Sequence, residues 1–260
     1  MKVGGRSQRD PRLPGALAEA ANARGAEGAR DSASSLCVVH GGGDEVSAVQ
    51  RRMGLEPAFV GGHRVTSVED LEVVRMVLSG TINKRLTALL HARGVRAVGI
   101  SGEDAMLFAA HTTDAARMGR VGGLVTVNPA LVLHLFAGGF VPVISPLARD
   151  ADDPAGAGLN VNGDDAAAAL AVSLEADELV FVADVPGVLE NGAALPSLDT
   201  EHARALIARG VAADGMATKL EAAAAALAGG VPSVRIAPLD GIRDPAAGTR
   251  IVLRASPSPV

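Results

Sequence analysis

Short apolar runs and longer stretches of helical period take turns along the chain. The runs at 36–40 (LCVVH), 97–101 (AVGIS), 141–145 (VPVIS) and 179–183 (LVFVA) each predict a strand. Between and after them, helices are predicted over 44–53, 164–174 and 219–227, the last two rich in Ala. Strand and helix in alternation imply an α/β sheet, mostly parallel, covered by helices on both faces. The stretch 68–93 predicts one or two helices, because Leu71, Val74, Val77 and Leu78 recur at helical spacing and Gly80 permits a bend. Val73 and Met76 give it a second apolar side, which fits either deep burial or half of a subunit interface. The stretch 148–158, rich in Asp, Ala, Gly and Pro, predicts an exposed turn or hairpin at a boundary, and the tail 255–260 a frayed end.

Composition narrows the classes of function. With 260 residues, 48% of them hydrophobic, the chain can bury a sizeable core as one large domain or two intimate lobes. No apolar run approaches the roughly 18 residues of a spanning helix, and the start is polar, so membrane and export readings fall away. The single cysteine, Cys37, sits in an apolar run as a buried thiol, which fits a reducing cytoplasm. A net charge of -5, no Tyr or Trp and five Phe offer nucleic acid neither a basic footprint nor stacking platforms.

Four constellations carry candidate chemistry, the first of them a pair of glycine clusters. Lys2-Val3-Gly4-Gly5 and Val38-Val39-His40-Gly41-Gly42-Gly43 place glycines after apolar strands, where bare N–H groups and a following helix form a cradle for phosphate or carboxylate. A tight turn explains the glycines equally well. Neither cluster is a Walker A loop or a dinucleotide fingerprint. In Leu159-Asn160-Val161-Asn162-Gly163-Asp164-Asp165, two Asn before two Asp exceed what an N-cap requires. The third is the strand end Ala183-Asp184-Val185-Pro186-Gly187; the fourth, Asp214-Gly215-Met216-Ala217-Thr218-Lys219, puts a lysine at a predicted helix start, where a bound anion explains it better than the helix dipole does. The six histidines show no metal-ligand spacing and read as structural.

In order and spacing these pieces, with GHRVTS at 62–67, MVLSGTINK at 76–84, AVGISGED at 97–104 and DVPGVL at 184–189, resemble the acetylglutamate kinase branch of the amino acid kinase family over nearly the whole chain. The resemblance implies a three-layer α/β/α sandwich with a mostly parallel central sheet. An N-terminal lobe at 1–170 would bind the acyl-amino acid and dimerise; a C-terminal lobe at 171–260 would bind ATP with its Mg²⁺. By the same resemblance Lys2 and Lys219 flank the transferring phosphoryl group and Asp164 orients both, forming the catalytic set. Gly42, Gly43, Arg64 and Asn160 hold N-acetyl-L-glutamate, Gly5 and Gly42 offer N–H groups to phosphate, and Gly5, Asp184, Gly187 and Met216 belong to the ATP site. No dedicated protein metal site is implied.

Departures from the pattern bear on three points. No apolar residues precede Lys2 in its strand, which fits either a start further upstream or a loosely held lysine, and Gly163 stands where the family shows Ala. Arginine-inhibited members resemble hexamers joined by a helix ahead of the lysine strand. With Lys2 second in the chain and 236–248 short, the resemblance implies a homodimer, paired near 68–81, that arginine does not inhibit. Two further readings stay open: a kinase of aminoadipate or glutamate presented on a carrier protein, and a non-catalytic amino-acid sensor of the same fold.

Overall fold

The computed structural model describes residues 1–23, 36–153 and 155–254; the tail 255–260, expected to fray, lies outside the described residues. The strands are β1 (Lys2–Val3), β2 (Val38–His40), β3 (Phe59–Val60), β4 (His63–Arg64), β5 (Ala97–Ser101), β6 (Phe108–Thr112), β7 (Val121–Val127), β8 (Val141–Ser145), β9 (Leu147–Asp150), β10 (Leu159–Val161), β11 (Glu178–Val182), β12 (Leu189–Glu190), β13 (Ala193–Ala194), β14 (Ser197–Asp199), β15 (Ser233–Ala237) and β16 (Thr249–Val252). The helices are α1 (Leu13–Ala23), α2 (Gly43–Arg52), α3 (Val68–Arg75), α4 (Asn83–His91), α5 (Ala115–Met118), α6 (Ala130–Ala137), α7 (Gly163–Ser173), α8 (Thr200–Ala208) and α9 (Asp214–Ala228).

Eight strands make one sheet in the order β14-β16-β15-β11-β1-β2-β8-β5. From β15 to β5 all are parallel; β16 pairs antiparallel with β15, and β14 lies parallel to β16. Side chains alternate across this sheet, so neighbouring residues feed different cores. Val38, Val143, Val180 and Val182 pack with Leu13, Leu17, Leu86 and Leu90 of α1 and α4. Val39, Ile144, Phe181 and Ile236 face the other way, onto Leu170 of α7 and Leu220, Ala223 and Ala226 of α9. The result is a three-layer α/β/α sandwich. A four-stranded ring, β10-β7-β6-β9, stands beside the main sheet.

The first strand is short yet central. Lys2 and Val3 pair with β2 on one side and β11 on the other, and Lys2 is only 6% exposed, so the alternative of a loosely held lysine is corrected: two parallel neighbours seat it. Three other expectations shift. The stretch 68–93 is α3, a wide π-type turn over Met76–Ile82, and α4, with Gly80 inside the wide turn. Leu71, Val73, Val74, Val77 and Leu78 are all buried within the chain, whereas Met76 and Val68 are about half exposed. The 148–158 stretch is partly strand, because β9 and β10 pair antiparallel across it and close the ring. Helix α9 starts at Asp214, so Lys219 lies in its second turn rather than at its start.

Phe181 sits fully buried on β11, between β1 and β15. Phe181→Ala is expected to cost about 3–5 kcal/mol, read as a lower guanidinium midpoint at unchanged slope; a cost under about 1 kcal/mol would place the centre of the core elsewhere.

Candidate active site

Because Val3 points toward α1, strand alternation turns Lys2 to the opposite face, where α7 begins. Asn162 caps that helix, its side chain accepting the Asp164 N–H at 2.7 Å. Asp164 is thereby free of capping duty and directs its carboxylate at two cations. Lys2 Nζ stands 2.8 Å from Oδ1 and Lys219 Nζ 3.4 Å from Oδ2. Thr218, one position before Lys219, adds its hydroxyl to the same Oδ2 at 3.4 Å, a contact the sequence did not suggest. All three charged side chains are nearly buried. Burial opposes ionisation of Asp164, but Lys2 and Lys219 outweigh it and hold the carboxyl below its ordinary value. Burial, then the neighbouring Lys2, pulls Lys219 below the ordinary lysine value against the counter-pull of Asp164. An added Cβ at Gly163 would lie 3.4 Å from Lys2 Cε, ordinary contact, so glycine or alanine fits there.

The glycines at the ends of β1 and β2 face each other across the same cleft. A Cβ on Gly5 would stand 3.6 Å from both the Gly42 and the Gly43 nitrogen, covering the N–H groups that its absence leaves open. None of the Gly5, Gly42 and Gly43 N–H groups is hydrogen bonded to backbone within the described residues. Gly42 has room for no side chain at all: at φ +157, a Cβ would fall 2.2 Å from Ile82 Cδ1. With α2 starting at Gly43, these N–H groups and the helix N-terminus give the cleft a preference for an anion. The tight-turn reading of the glycines is therefore incomplete.

Arg64, at the end of β4, closes one side of the cleft and is buried. Its guanidinium donates to the Gly43 carbonyl and to Ser47 Oγ, both at 2.7 Å, and to Gln50 Oε1, while Phe59 lies under it with its ring centre 4.8 Å away. Three of the five N–H donors of an arginine are thus committed, and two are uncommitted among the described residues. Asn160, on β10, donates to Thr66 Oγ1 at 3.2 Å and lines the cleft with its remaining surface. The cleft encloses about 320 Å³, bordered by Lys2, Gly5, Gly42, Gly43, Arg64 and Asn160 as well as Asp164. Lys219, Asp184, Gly187 and Met216 do not line it; Lys219 is joined to it through Asp164. Asp184, two residues beyond β11, pairs with Arg6 at 3.2 Å and supports the charge of Lys219. Gly187 lies against β16, where a Cβ would meet Thr249 Oγ1 at 2.6 Å, and Met216 opens α9 against the core.

A larger cavity of about 450 Å³ lies elsewhere, lined by Leu36, Cys37, Phe136, Leu170 and Leu174. It brings together no Lys or Arg, and burial pushes the Cys37 thiol up to about 11, so neither anion binding nor thiolate chemistry points there. Among the described residues no three His, Cys, Asp or Glu side chains cluster as metal ligands, and no helix is long and apolar enough to cross a membrane.

A model of the amino acid kinase family matches residues 1–238. The chain is similar to the acetylglutamate kinase of Chloroflexus aurantiacus, 44% identical over 252 residues that cover 96% of this chain and 94% of the relative. That of Geobacillus kaustophilus is 41% identical over 207 residues, covering 80% and 79%. Among solved structures, smu.665 from Streptococcus mutans UA159 matches at TM-score 0.83 and 28% identity, covering 96% of each chain. N-acetylglutamate synthase from Neisseria gonorrhoeae, solved with coenzyme A and N-acetyl-glutamate, shares the fold at TM-score 0.80 and 24% identity, over 98% of this chain and 59% of that one.

The depressed Asp164 carboxyl means that the native chain releases this proton more readily than the unfolded chain. The stabilisation is fully present above the unfolded carboxylate value of about 3.9 and is lost as pH falls through the lower native value. Asp164→Asn is expected to flatten the acid limb of the stability profile below about pH 4. An acid limb as steep as that of wild type would show that the lysines do not hold this carboxylate.

Proposed function

The chain belongs to the amino acid kinase family, and on that premise we propose that its cleft moves the γ-phosphoryl group of ATP onto the side-chain carboxylate of N-acetyl-L-glutamate. The product is N-acetyl-L-glutamyl 5-phosphate, a step of arginine biosynthesis. One observation carries the reading: two buried lysines joined by Asp164 stand beside open glycine N–H groups and a buried arginine. A sensor needs no paired lysines at the phosphoryl position, and the named relatives favour the free acyl-amino acid over a carrier-bound one.

The chemistry asks little covalent help from the protein. A carboxylate is ionised at neutral pH, so the nucleophile needs no base; what must be supplied is alignment and relief of charge on the phosphoryl oxygens. Lys2 and Lys219 flank the group in transfer, with Asp164 fixing their spacing. The Gly5 and Gly42 N–H groups take the equatorial oxygens. Arg64 grips a substrate carboxylate with its uncommitted donors, and Gly42, Gly43 and Asn160 hold the rest of the acyl-amino acid. Asp184, Gly187 and Met216 border the nucleotide. Mg²⁺ arrives on the ATP phosphates, its usual mode, and further neutralises their charge when bound. In this reading residues 1–170 serve the acyl-amino acid and 171–260 the nucleotide. The chain works in the cytoplasm as a homodimer paired through the exposed side of α3 and the wide turn, where Val68 and Met76 lie.

A coupled ATP assay with acetylglutamate, glutamate, aspartate and aminoadipate tests the substrate; fastest turnover on any but acetylglutamate would reassign it. Lys219→Ala is expected to lower kcat by about 100-fold or more with little change in unfolding midpoint, and near-wild-type turnover would remove the lysine from the mechanism. Arg64→Ala is expected to raise the acetylglutamate KM by about tenfold or more and leave the ATP KM unchanged, whereas an effect confined to ATP would contradict its assignment.

A further inference from the structure

Two side chains outside the reacting groups converge on a single carbonyl. Gly41 O accepts from Gln8 Nε2 at 2.8 Å and from His40 Nδ1 at 3.0 Å. His40 is fully buried, and burial pulls its pKa down to about 4, so the ring is neutral and carries one proton, which the carbonyl contact places on Nδ1. The other nitrogen accepts from Asn83 Nδ2 at 3.1 Å. The two N–H groups of Asn83 Nδ2 are shared among this nitrogen and the carbonyls of Val143 on β8, at 2.8 Å, and Ile100 on β5, at 3.2 Å, so the imidazole is braced against two neighbouring strands. Gln8 leaves its own Oε1 buried without a partner among the described residues, a cost that an apolar side chain would avoid. Its amide is therefore retained for what it donates.

A trans peptide carries its C=O and N–H on opposite sides, and no described peptide is cis. Turning the Gly41 carbonyl toward Gln8 and His40 thus aims the Gly42 N–H the other way, into the gap in front of Gly5. Glycine imposes little rotational preference of its own, so this peptide needs an outside restraint to present its N–H in one direction. We propose that Gln8 and His40, the latter seated by Asn83, form a clamp on the Gly41–Gly42 peptide that aims the Gly42 N–H at the transferring phosphoryl group. They are positioning residues, and the proposal rests on the kinase reading above.

Steady-state kinetics and unfolding midpoints of Gln8→Leu, His40→Leu and His40→Asn test it. Asparagine keeps an amide N–H near the place of Nδ1–H; leucine fills space and donates nothing. Gln8→Leu and His40→Leu are expected to lower kcat by about tenfold, with the carboxylate KM within about twofold, and His40→Asn to recover most of the loss. Equal kcat in His40→Asn and His40→Leu, or losses that simply follow the unfolding midpoint, would overturn the clamp. Should His40→Leu fail to fold, Gln8→Leu still decides, because wild-type kcat there ends the proposal. If wild type prefers another carboxylate of the panel, the substrate assignment falls and the clamp is scored on that carboxylate; turnover of none overturns both.

Discussion

Two buried ammonium groups repel each other and each resists leaving water, and in this cleft one carboxylate offsets both penalties. Asp164 contacts Lys2 through one oxygen and Lys219 through the other, tying β1 at the centre of the sheet to α9 on its surface. Much else serves that bridge. Asn162 takes over the helix cap so that Asp164 need not, Thr218 shares its hydroxyl between Oδ2 and the Gly215 carbonyl, and the small side chains of α7 let it pack closely on α9. A phosphoryl donor entering the cleft meets positive charge already in place, with its counter-charge behind it.

The rest of the cleft follows from where parallel strands end. β1 and β2 stop side by side, their glycines continue past the sheet, and α2 starts immediately afterwards, so bare N–H groups and a helix N-terminus share one opening. Arg64 reaches this opening from a separate hairpin, held by Gly43, Ser47 and Gln50. The open N–H groups on one side and the arginine on the other thus rest on the same few residues around α2.

The wide turn over Met76–Ile82 couples core packing to that opening. Leu78 and Ile82 press on the position where Gly42 would carry a side chain, and Asn83, just beyond, reaches His40. Gly99 on β5 makes room for it, since a Cβ there would fall 2.0 Å from Asn83 Oδ1. Substitutions in this segment therefore act on the cradle without touching a ligand.

The chain's own pattern determined the layered α/β fold. Runs such as 141–145 and 179–183 are buried on both faces, and short, β-branched apolar runs alternating with helical stretches are the signature of parallel-sheet strands, so they were legible without a structure. The glycine clusters and the NVNGDD segment were legible as chemistry because their residue types exceed what a turn or cap requires. The four-stranded ring and helices α1, α6 and α8 escaped notice, since glycine-interrupted strands such as β7 and short or uniformly apolar helices carry weak periodicity. Tertiary structure alone decided which groups meet. Lys2, Asp164 and Lys219 are far apart along the chain, and Thr218, Gln50, Ser47, Gln8 and His40 acquire their roles only from neighbours that distant segments supply. Local sequence encodes the period of an element and the chemistry it carries; the meeting of side chains depends on which strands pair and on how helices pack against them.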